Sequence, residues 1–436
     1  MPETLELTQF RIETTPQGIV HLIFDMPNRS MNVFSNAAIK DLGAFAAWVA
    51  RGGARGVLLR SGKTSAFCAG ADLLELGQAY GMIMAAPPAA RFHLAFEHFF
   101  PLSAAVRALE TCGKPVACAI AGLALGGGCE LALGTHHRVL ANTPKAAMGL
   151  PESLVGLLPG AGGTQRMPRV AGLEAALPIL LEGRRLWGQD ALNAGLASEL
   201  VAPGEEVAAA ERWLLSTTAA RQPWDDATWR PRDAAQASGL ITAARQGVLA
   251  ETLGHYPAPL AILRCLEQGF TQNIETAIRT EMSIFAGLIQ RPEARDMIRT
   301  MFVAKTDYER RIRTGDMPEA VSRALRELPA LWQGRPAHIG AALAAAGFKI
   351  EGIAHPAPDS AFTGTGYWHT SPPESTAKRL VREVLEDITT AAARLLPGLG
   401  ADGERLADYG MVSEAGFPAY LGGPFCLLSH AEKVTA

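Results

Sequence analysis

With 436 residues, 48% of them hydrophobic, the chain holds enough apolar side chains for more than one core, and at roughly 100–200 residues per domain its length predicts two to three domains. A mainly disordered chain is thereby excluded. Lys and Arg number 40 against 43 Asp and Glu, a formal charge of −3 with no basic block, so no nucleic-acid partner is expected and a neutral or small anionic ligand fits better.

The first 18 residues lack a basic region followed by an apolar stretch, and no window reaches about 18 uninterrupted apolar residues, so neither a leader nor a membrane span is expected. Residues 10–25 alternate as a strand, a Pro-Gln-Gly turn and a second strand, which reads as a hairpin. Apolar residues recur at helical spacing from Ser35 to Arg51, while Gly56 to Arg60 and Val116 to Ile120 read as short strands. This alternation predicts an α/β layer structure. Tyr80 to Leu109 is helical in pattern, with breaks expected at Pro87-Pro88 and Pro101, and insertions of such length often cover a site. Helical patterns return over Gly172 to Val201 and Asn273 to Arg313, and the Pro- and Trp-containing segment Gln222 to Arg232 between them reads as a surface connection. Pro and Gly are densest from residue 314 onward, around one helix at Glu374 to Leu396, which puts a domain boundary near 310–320. The six cysteines (Cys68, Cys112, Cys118, Cys129, Cys265, Cys426) show no C-x-x-C spacing and read as reduced, buried thiols of a cytoplasmic protein.

Two glycine-rich turns, Ser65 to Leu74 and Ala121 to Leu131, each follow a predicted strand and stand beside a helix start. Glycine lets the backbone turn tightly and lets a ligand approach bare N–H groups, and a helix N-terminus adds unpaired donors and a positive dipole end. Two such turns brought together make an oxyanion hole for an enolate or tetrahedral anion at an acyl carbonyl; either alone reads equally well as tight packing. Gly126-Gly-Gly is no phosphate loop, because the Lys and Ser/Thr are missing. Glu130 opens an otherwise apolar helix and Glu152 follows Pro151. Neighbouring acids in an apolar setting push their pKa values apart, as acid/base work at neutral pH requires, although singly Glu130 could complement a helix dipole and Glu152 could be a solvated loop residue. The histidines, His136 and His137 included, show no metal-ligand spacing, and those two read as a polar hairpin surface; no metal is expected.

Three ordered motifs, Phe67-Cys-Ala-Gly-Ala-Asp-Leu73, Ala121-Gly-Leu-Ala-Leu-Gly-Gly-Gly-Cys-Glu-Leu131 and Met148-Gly-Leu-Pro-Glu152 running on to Thr164-Gln-Arg166, closely resemble the enoyl-CoA hydratase (crotonase) family. The resemblance spans about residues 10–205 and implies an α/β fold, a spiral of ββα units assembling as trimers or hexamers. It implies that the Ala71 and Gly127 N–H groups form the oxyanion hole, and that Ala69, Ala71, Asp72, Leu73, Leu74 and Gly127 lie along the thioester arm of coenzyme A. By the same match Glu130 activates water and Glu152 protonates Cα. The two glutamates are 22 residues apart, about two more than the resemblance leads one to expect, and Ala141 to Ala146 reads as a hairpin tip that absorbs the difference.

Residues 206–313, with Gln222-Pro-Trp-Asp-Asp226, resemble the helical connection in the multifunctional alpha subunits of bacterial fatty-acid oxidation complexes. Thr363 to Trp368, the helix at Glu374 and Ala407 to Phe425 are similar to the last helical part of the 3-hydroxyacyl-CoA dehydrogenase in those subunits. No strand after Arg313 leads into G-x-G-x-x-G, so no NAD is expected, and coenzyme A enters only as part of the substrate. The expected organisation is therefore a catalytic core over 1–205, a helical extension over 206–313 and a smaller, mainly α domain over 314–436. The resemblance implies reversible hydration of a trans-2-enoyl-CoA, with Δ3,Δ2-enoyl-CoA isomerisation at the same acids. Another enolate reaction of an acyl-CoA, or a scaffold for a partner β-oxidation enzyme, stays open.

Overall fold

The structure is a computed structural model, and it describes residues 5–218, 221–252, 254–333 and 376–435. The chain forms two compact units, one of residues 1–245 and 261–290, the other of 246–260 and 291–436.

The first unit opens with the hairpin β1 (Phe10–Thr14) and β2 (Ile19–Phe24), paired antiparallel from Phe10 against Phe24 to Thr14 against Val20. Helix α1 (Asn36–Arg51) starts at Ser35, whose hydroxyl accepts from the Ala38 N–H, and it buries Leu42, Phe45 and Val49. Three repeats of one pattern follow. The strands β3 (Gly56–Ser61) and β4 (Ala66–Cys68) precede helices α2 (Leu73–Ala85) and α3 (Pro88–Glu110); β5 (Val116–Ile120) and β6 (Leu123–Leu125) precede α4 (Gly127–Leu133); β7 (His137–Ala141) and β8 (Ala147–Gly149) precede α5 (Gly163–Ala171). In each repeat the first strand joins a six-stranded sheet of order β1-β2-β3-β5-β7-β10, and the second joins a four-stranded sheet of order β4-β6-β8-β9, where β9 is Arg185–Trp187 and β10 is Glu199–Val201. This is the expected spiral of ββα units. Strands β3, β5 and β7 are parallel to their neighbours; β5 is apolar and buried throughout, and Val57–Leu59 of β3 and Val139–Ala141 of β7 are apolar and buried beside it, as strands covered on both faces must be.

Four local expectations are corrected. Pro101 lies inside α3 rather than ending it; the ring removes one N–H donor, but the 23-residue helix continues because α1 packs along it. Gly172 to Val201 holds the helices α6 (Leu173–Leu181) and α7 (Gly188–Asn193), but β9 and β10 interrupt it, three-residue strands too short to print a period of two on the sequence. Residues 141–146 are no hairpin tip, since β7 and β8 belong to different sheets. His136 and His137 form no polar hairpin surface either: the Val116 N–H donates to His136 Nδ1 at 2.9 Å and His137 stacks on Trp213 at the start of β7.

Helix α8 (Glu206–Ser216) lays Ala209, Ala210 and Leu214 on Leu58, Ala117 and Val139 of the large sheet. The segment from Gln222 to Arg232 runs mostly exposed, as a surface connection should, but it is anchored by buried Gln222 and Trp224, and Trp224 packs on Ile274 and Ile278. Helices α9 (Ala237–Thr252), α10 (Pro257–Gly269) and α11 (Ile274–Leu288) follow.

The second unit is helical throughout its described residues. Asn273 to Arg313 is helical as expected, but in successive segments: α11, a helix over Pro292–Met297, a π-helical stretch over Ile298–Ala304 and a helix over Lys305–Thr314. The helix expected from Glu374 is Thr376–Leu395. Val321, Leu328, Ile388, Leu406 and Phe417 share one core in this unit. Within it, Asp408 accepts from the N–H groups of Phe425 and Cys426 and pairs with Arg299, so the Ala407 to Phe425 stretch closes on itself. Residues 363–368 lie outside the described residues. All six cysteines are buried, and among the described residues no helix is long and apolar enough to cross a membrane.

Candidate active site

Strands β4, β6 and β8 are parallel, with Cys68 beside Ala124 after a shift of register within β4 and Leu125 beside Gly149, so the segments that follow them emerge at the same edge of the small sheet. These segments carry all the residues singled out by sequence.

After β4, the Ala69 N–H donates to Asn32 O at 2.9 Å, and the Phe34 N–H donates to Gly70 O at 2.8 Å, which lays residues 69–72 beside residues 32–34. Asp72 caps α2. Its Oδ1 accepts from the Leu74 and Glu75 N–H groups and its Oδ2 pairs with Arg29 at 2.8 Å, so its carboxylate is already engaged, and its own N–H donates to Phe34 O at 3.0 Å. Leu73 opens the helix, and Leu74 is 67% exposed, an apolar side chain left toward solvent beside the turn.

After β6, Gly126 adopts φ 55°, ψ −129°, a conformation essentially restricted to glycine. A Cβ there would stand 2.8 Å from Glu152 Oε1, and a Cβ at Gly128 would stand 2.5 Å from Cys68 O. The glycine run thus lets α4 start in contact with the end of β4. A Cβ built at Gly70 would lie 3.9 Å from the Gly127 nitrogen, which puts the two glycine-rich turns side by side. Gly127 is the first residue of α4, so its N–H has no intrahelical acceptor, and among the described residues the Ala71 N–H likewise meets no backbone acceptor.

Glu130 projects from α4 and is only 2% exposed. Its Oε1 accepts from the Ala161 N–H at 2.6 Å and the Gly163 N–H at 2.7 Å. Burial pushes its carboxyl up to about 7, against the opposing pull of those two donors and of Arg166. Glu152 begins a 3-10 turn after β8 and Pro151; its Oε1 lies against Gly126, and among the described residues nothing donates to its buried Oε2. Burial first, and then the charge of Glu130, hold its proton well above the ordinary carboxylate range. Two acids at one edge therefore differ in kind: one held by two fixed N–H groups and ionising near neutrality, the other with a donor-free Oε2 and its proton held by burial.

Residues 14–229 match the profile of a family described as enoyl-CoA hydratase/isomerase. Over these residues the chain belongs to the enoyl-CoA hydratase/isomerase family. The fatty acid oxidation complex subunit alpha of Shewanella halifaxensis (strain HAW-EB4) is 33% identical over 321 residues, covering 72% of this chain and 44% of that protein. The subunit of the same description from Shewanella loihica (strain ATCC BAA-1088 / PV-4) gives the same figures. The chain spans less than half the length of these curated relatives. Among solved structures, an enoyl-CoA hydratase from Bacillus anthracis aligns with 64% of this chain and 91% of its own at 24% identity, with a TM-score of 0.41.

Two buried acids around the hydratase/isomerase domain's candidate site, Glu281 and Glu110, lie outside its motifs. Glu281 of α11 accepts from the N–H groups of Gly162 and Thr164, beside the donors that hold Glu130. Glu110 of α3 pairs with Arg166, whose Nη1 donates to Ala161 O at 2.9 Å. One signal was available: Ile274, Ala277, Ile278, Met282, Phe285 and Leu288 form an apolar stripe at helical spacing, and position 281 places an acid inside it. Arg166 closes the third motif but has no role that spacing alone can supply.

Proposed function

We propose that this chain hydrates trans-2-enoyl-CoA thioesters reversibly to 3-hydroxyacyl-CoA. The observation that carries the reading is the asymmetry of the two acids, a Glu130 carboxylate fixed by two N–H groups and a Glu152 carboxyl with a buried, donor-free oxygen. In the proposed reaction Glu130 takes a proton from water as the water oxygen adds to Cβ. The electron pair of the Cα–Cβ double bond moves onto the thioester oxygen, where the Ala71 and Gly127 N–H groups stabilise the enolate; donors already in place at such an anion are worth several kcal/mol of barrier. The Glu152 proton then goes to Cα, and the proton taken by Glu130 returns the pair to its starting state by way of solvent. Ala69 and the backbone of Asp72, Leu73 and Leu74 line the path of the thioester arm. Consumption of crotonyl-CoA and of a longer enoyl-CoA, read by loss of the enoyl-thioester absorbance, tests this. Turnover of at least about 1 per second is expected for an enzyme of ordinary competence, and a rate at the uncatalysed level overturns the reading.

In this reading coenzyme A arrives with the substrate, and residues 314–436 transfer no hydride. A dinucleotide's pyrophosphate needs a glycine-lined helix N-terminus after a strand, and the one G-x-G-x-x-G run there, Gly398 to Gly403, follows the helix Thr376–Leu395 instead. Calorimetric titration with NAD is expected to give no saturable heat, and a micromolar dissociation constant, or NADH formed from 3-hydroxyacyl-CoA, would show otherwise.

A further inference from the structure

Four consecutive residues, Ala161 to Thr164, lead into α5, and their N–H groups are shared alternately between two buried carboxylates. Those of Ala161 and Gly163 go to Glu130 Oε1 at 2.6 and 2.7 Å. Those of Gly162 and Thr164 go to Glu281, to Oε1 at 2.7 Å and Oε2 at 2.9 Å, and the Thr164 hydroxyl lies 2.5 Å from Oε2. Gly162 at φ 92° makes this alternation possible, and a Cβ there would collide with Arg166 Nη1.

A carboxylate has no packing reason to be where Glu281 is. It stands in the apolar stripe of α11 between Ile278 and Met282, fully out of solvent, and burial of such a group costs several kcal/mol unless it is fully hydrogen-bonded. A leucine would suit the stripe better. What a leucine could not do is hold the Gly162 and Thr164 N–H groups, and with them the direction in which the Ala161 and Gly163 N–H groups point. From this geometry we infer that Glu281 is a positioning residue for hydration: it fixes the 161–164 turn so that two of that turn's N–H groups orient the Glu130 carboxylate toward the substrate water. The inference rests on the reading that Glu130 is the base.

The charges agree with this arrangement. Burial and then the neighbouring Glu130 charge push Glu281 up to about 8, so ionisation of either carboxyl opposes ionisation of the other. The Thr164 hydroxyl donates to Glu281 Oε2 and accepts from Gln165 Nε2 at 2.9 Å, so three donors from residues 162–164 converge on the Glu281 carboxyl. An amide at this position keeps the acceptor for Gly162 but turns a donor toward the Thr164 N–H.

The test is a double-mutant cycle on the full chain, with crotonyl-CoA as substrate. Glu281→Gln is expected to lower kcat about five- to tenfold and Glu281→Ala at least about twentyfold, with KM within about twofold in both. A residue that acts only through Glu130 adds nothing once Glu130 is gone, so Glu130→Gln combined with either change should be no more than about threefold slower than Glu130→Gln alone. Amide exchange at residues 161–164 should quicken in both Glu281 variants. Wild-type kcat in Glu281→Gln, losses that multiply in the double variants, or KM rising in step with falling kcat each overturn the inference. Should Glu281→Ala fail to fold, the isosteric Glu281→Gln cycle decides alone. Failure of the hydratase reading itself is read elsewhere, in the arms that keep Glu281: an inactive wild type, or a fully active Glu130→Gln.

Discussion

Glu130→Gln and Glu152→Gln are each expected to reduce kcat for enoyl-CoA hydration by at least about a hundredfold while the thermal midpoint stays nearly unchanged. General acids and bases contribute typically 10²–10⁴-fold, and each amide preserves the shape of the acid it replaces. At position 130 the amide oxygen still accepts from the Ala161 and Gly163 N–H groups, so the turn is kept and only the proton acceptor is lost. At position 152 no hydrogen bond to Oε2 is there to lose. The roles also fix the sign of the pH dependence. A base that is pushed up to about 7 is protonated below that pH, so kcat should fall as pH drops through about 7, and the acid limb should vanish in Glu130→Gln. Glu152, whose proton burial and the Glu130 charge hold, should set the alkaline limb as the acid. Most of the wild-type rate surviving in either variant removes that residue from the mechanism, and a flat profile from pH 5 to 9 removes the pair.

The parts of this molecule that were legible in sequence are those where one physical demand dominates a run of residues. Val116 to Ile120 is a strand because it is buried on both faces, and Asn36 to Arg51 shows its helix through Leu42, Phe45 and Val49 and its start through Ser35. The glycines at 126–128 were legible because residues with a side chain would collide with Glu152 and Cys68. What sequence could not carry is what depends on distant partners. Strands β9 and β10 are three residues each and exist because β8 and β7 offer them edges. The connection from β7 to β8 joins two sheets, and the Asn142 N–H in it donates to Val201 O, a partner 59 positions away. Asp225 belongs to a segment that reads as loop, yet it joins Arg107, itself paired with Glu110 of the same helix. Glu281 is 129 positions beyond Glu152, and only the packing of α11 beside α5 brings it to the turn that holds Glu130.

Glu110→Ala is expected to be the most damaging single change to stability in the first unit, costing about 3–5 kcal/mol. Neither side chain of the Glu110–Arg166 pair is exposed at all; Nη2 and Oε2 are 2.7 Å apart, and Nε lies 3.2 Å from Oε1. Without Glu110 the guanidinium stays buried with the Ala161 carbonyl as its remaining acceptor among the described residues, because a fully enclosed Arg166 cannot reach water. The reverse change, Arg166→Met, should be milder, since Arg107 Nη1 still pairs with Glu110 at 2.9 Å. That inequality separates a penalty of desolvation from simple loss of a contact, which would cost the same from either side. Replacing both partners, Glu110→Leu with Arg166→Met, should recover part of the loss by removing the stranded charge, yet it should not recover activity, because Ala161 O loses its donor and the turn that holds Glu130 loses a tether. Urea unfolding followed by tryptophan fluorescence, with hydration assayed on the same preparations, gives both readings. Equal losses in the two single variants, or a stable double variant with wild-type kcat, would show that Arg166 is only an ion-pair partner and that the turn does not depend on it.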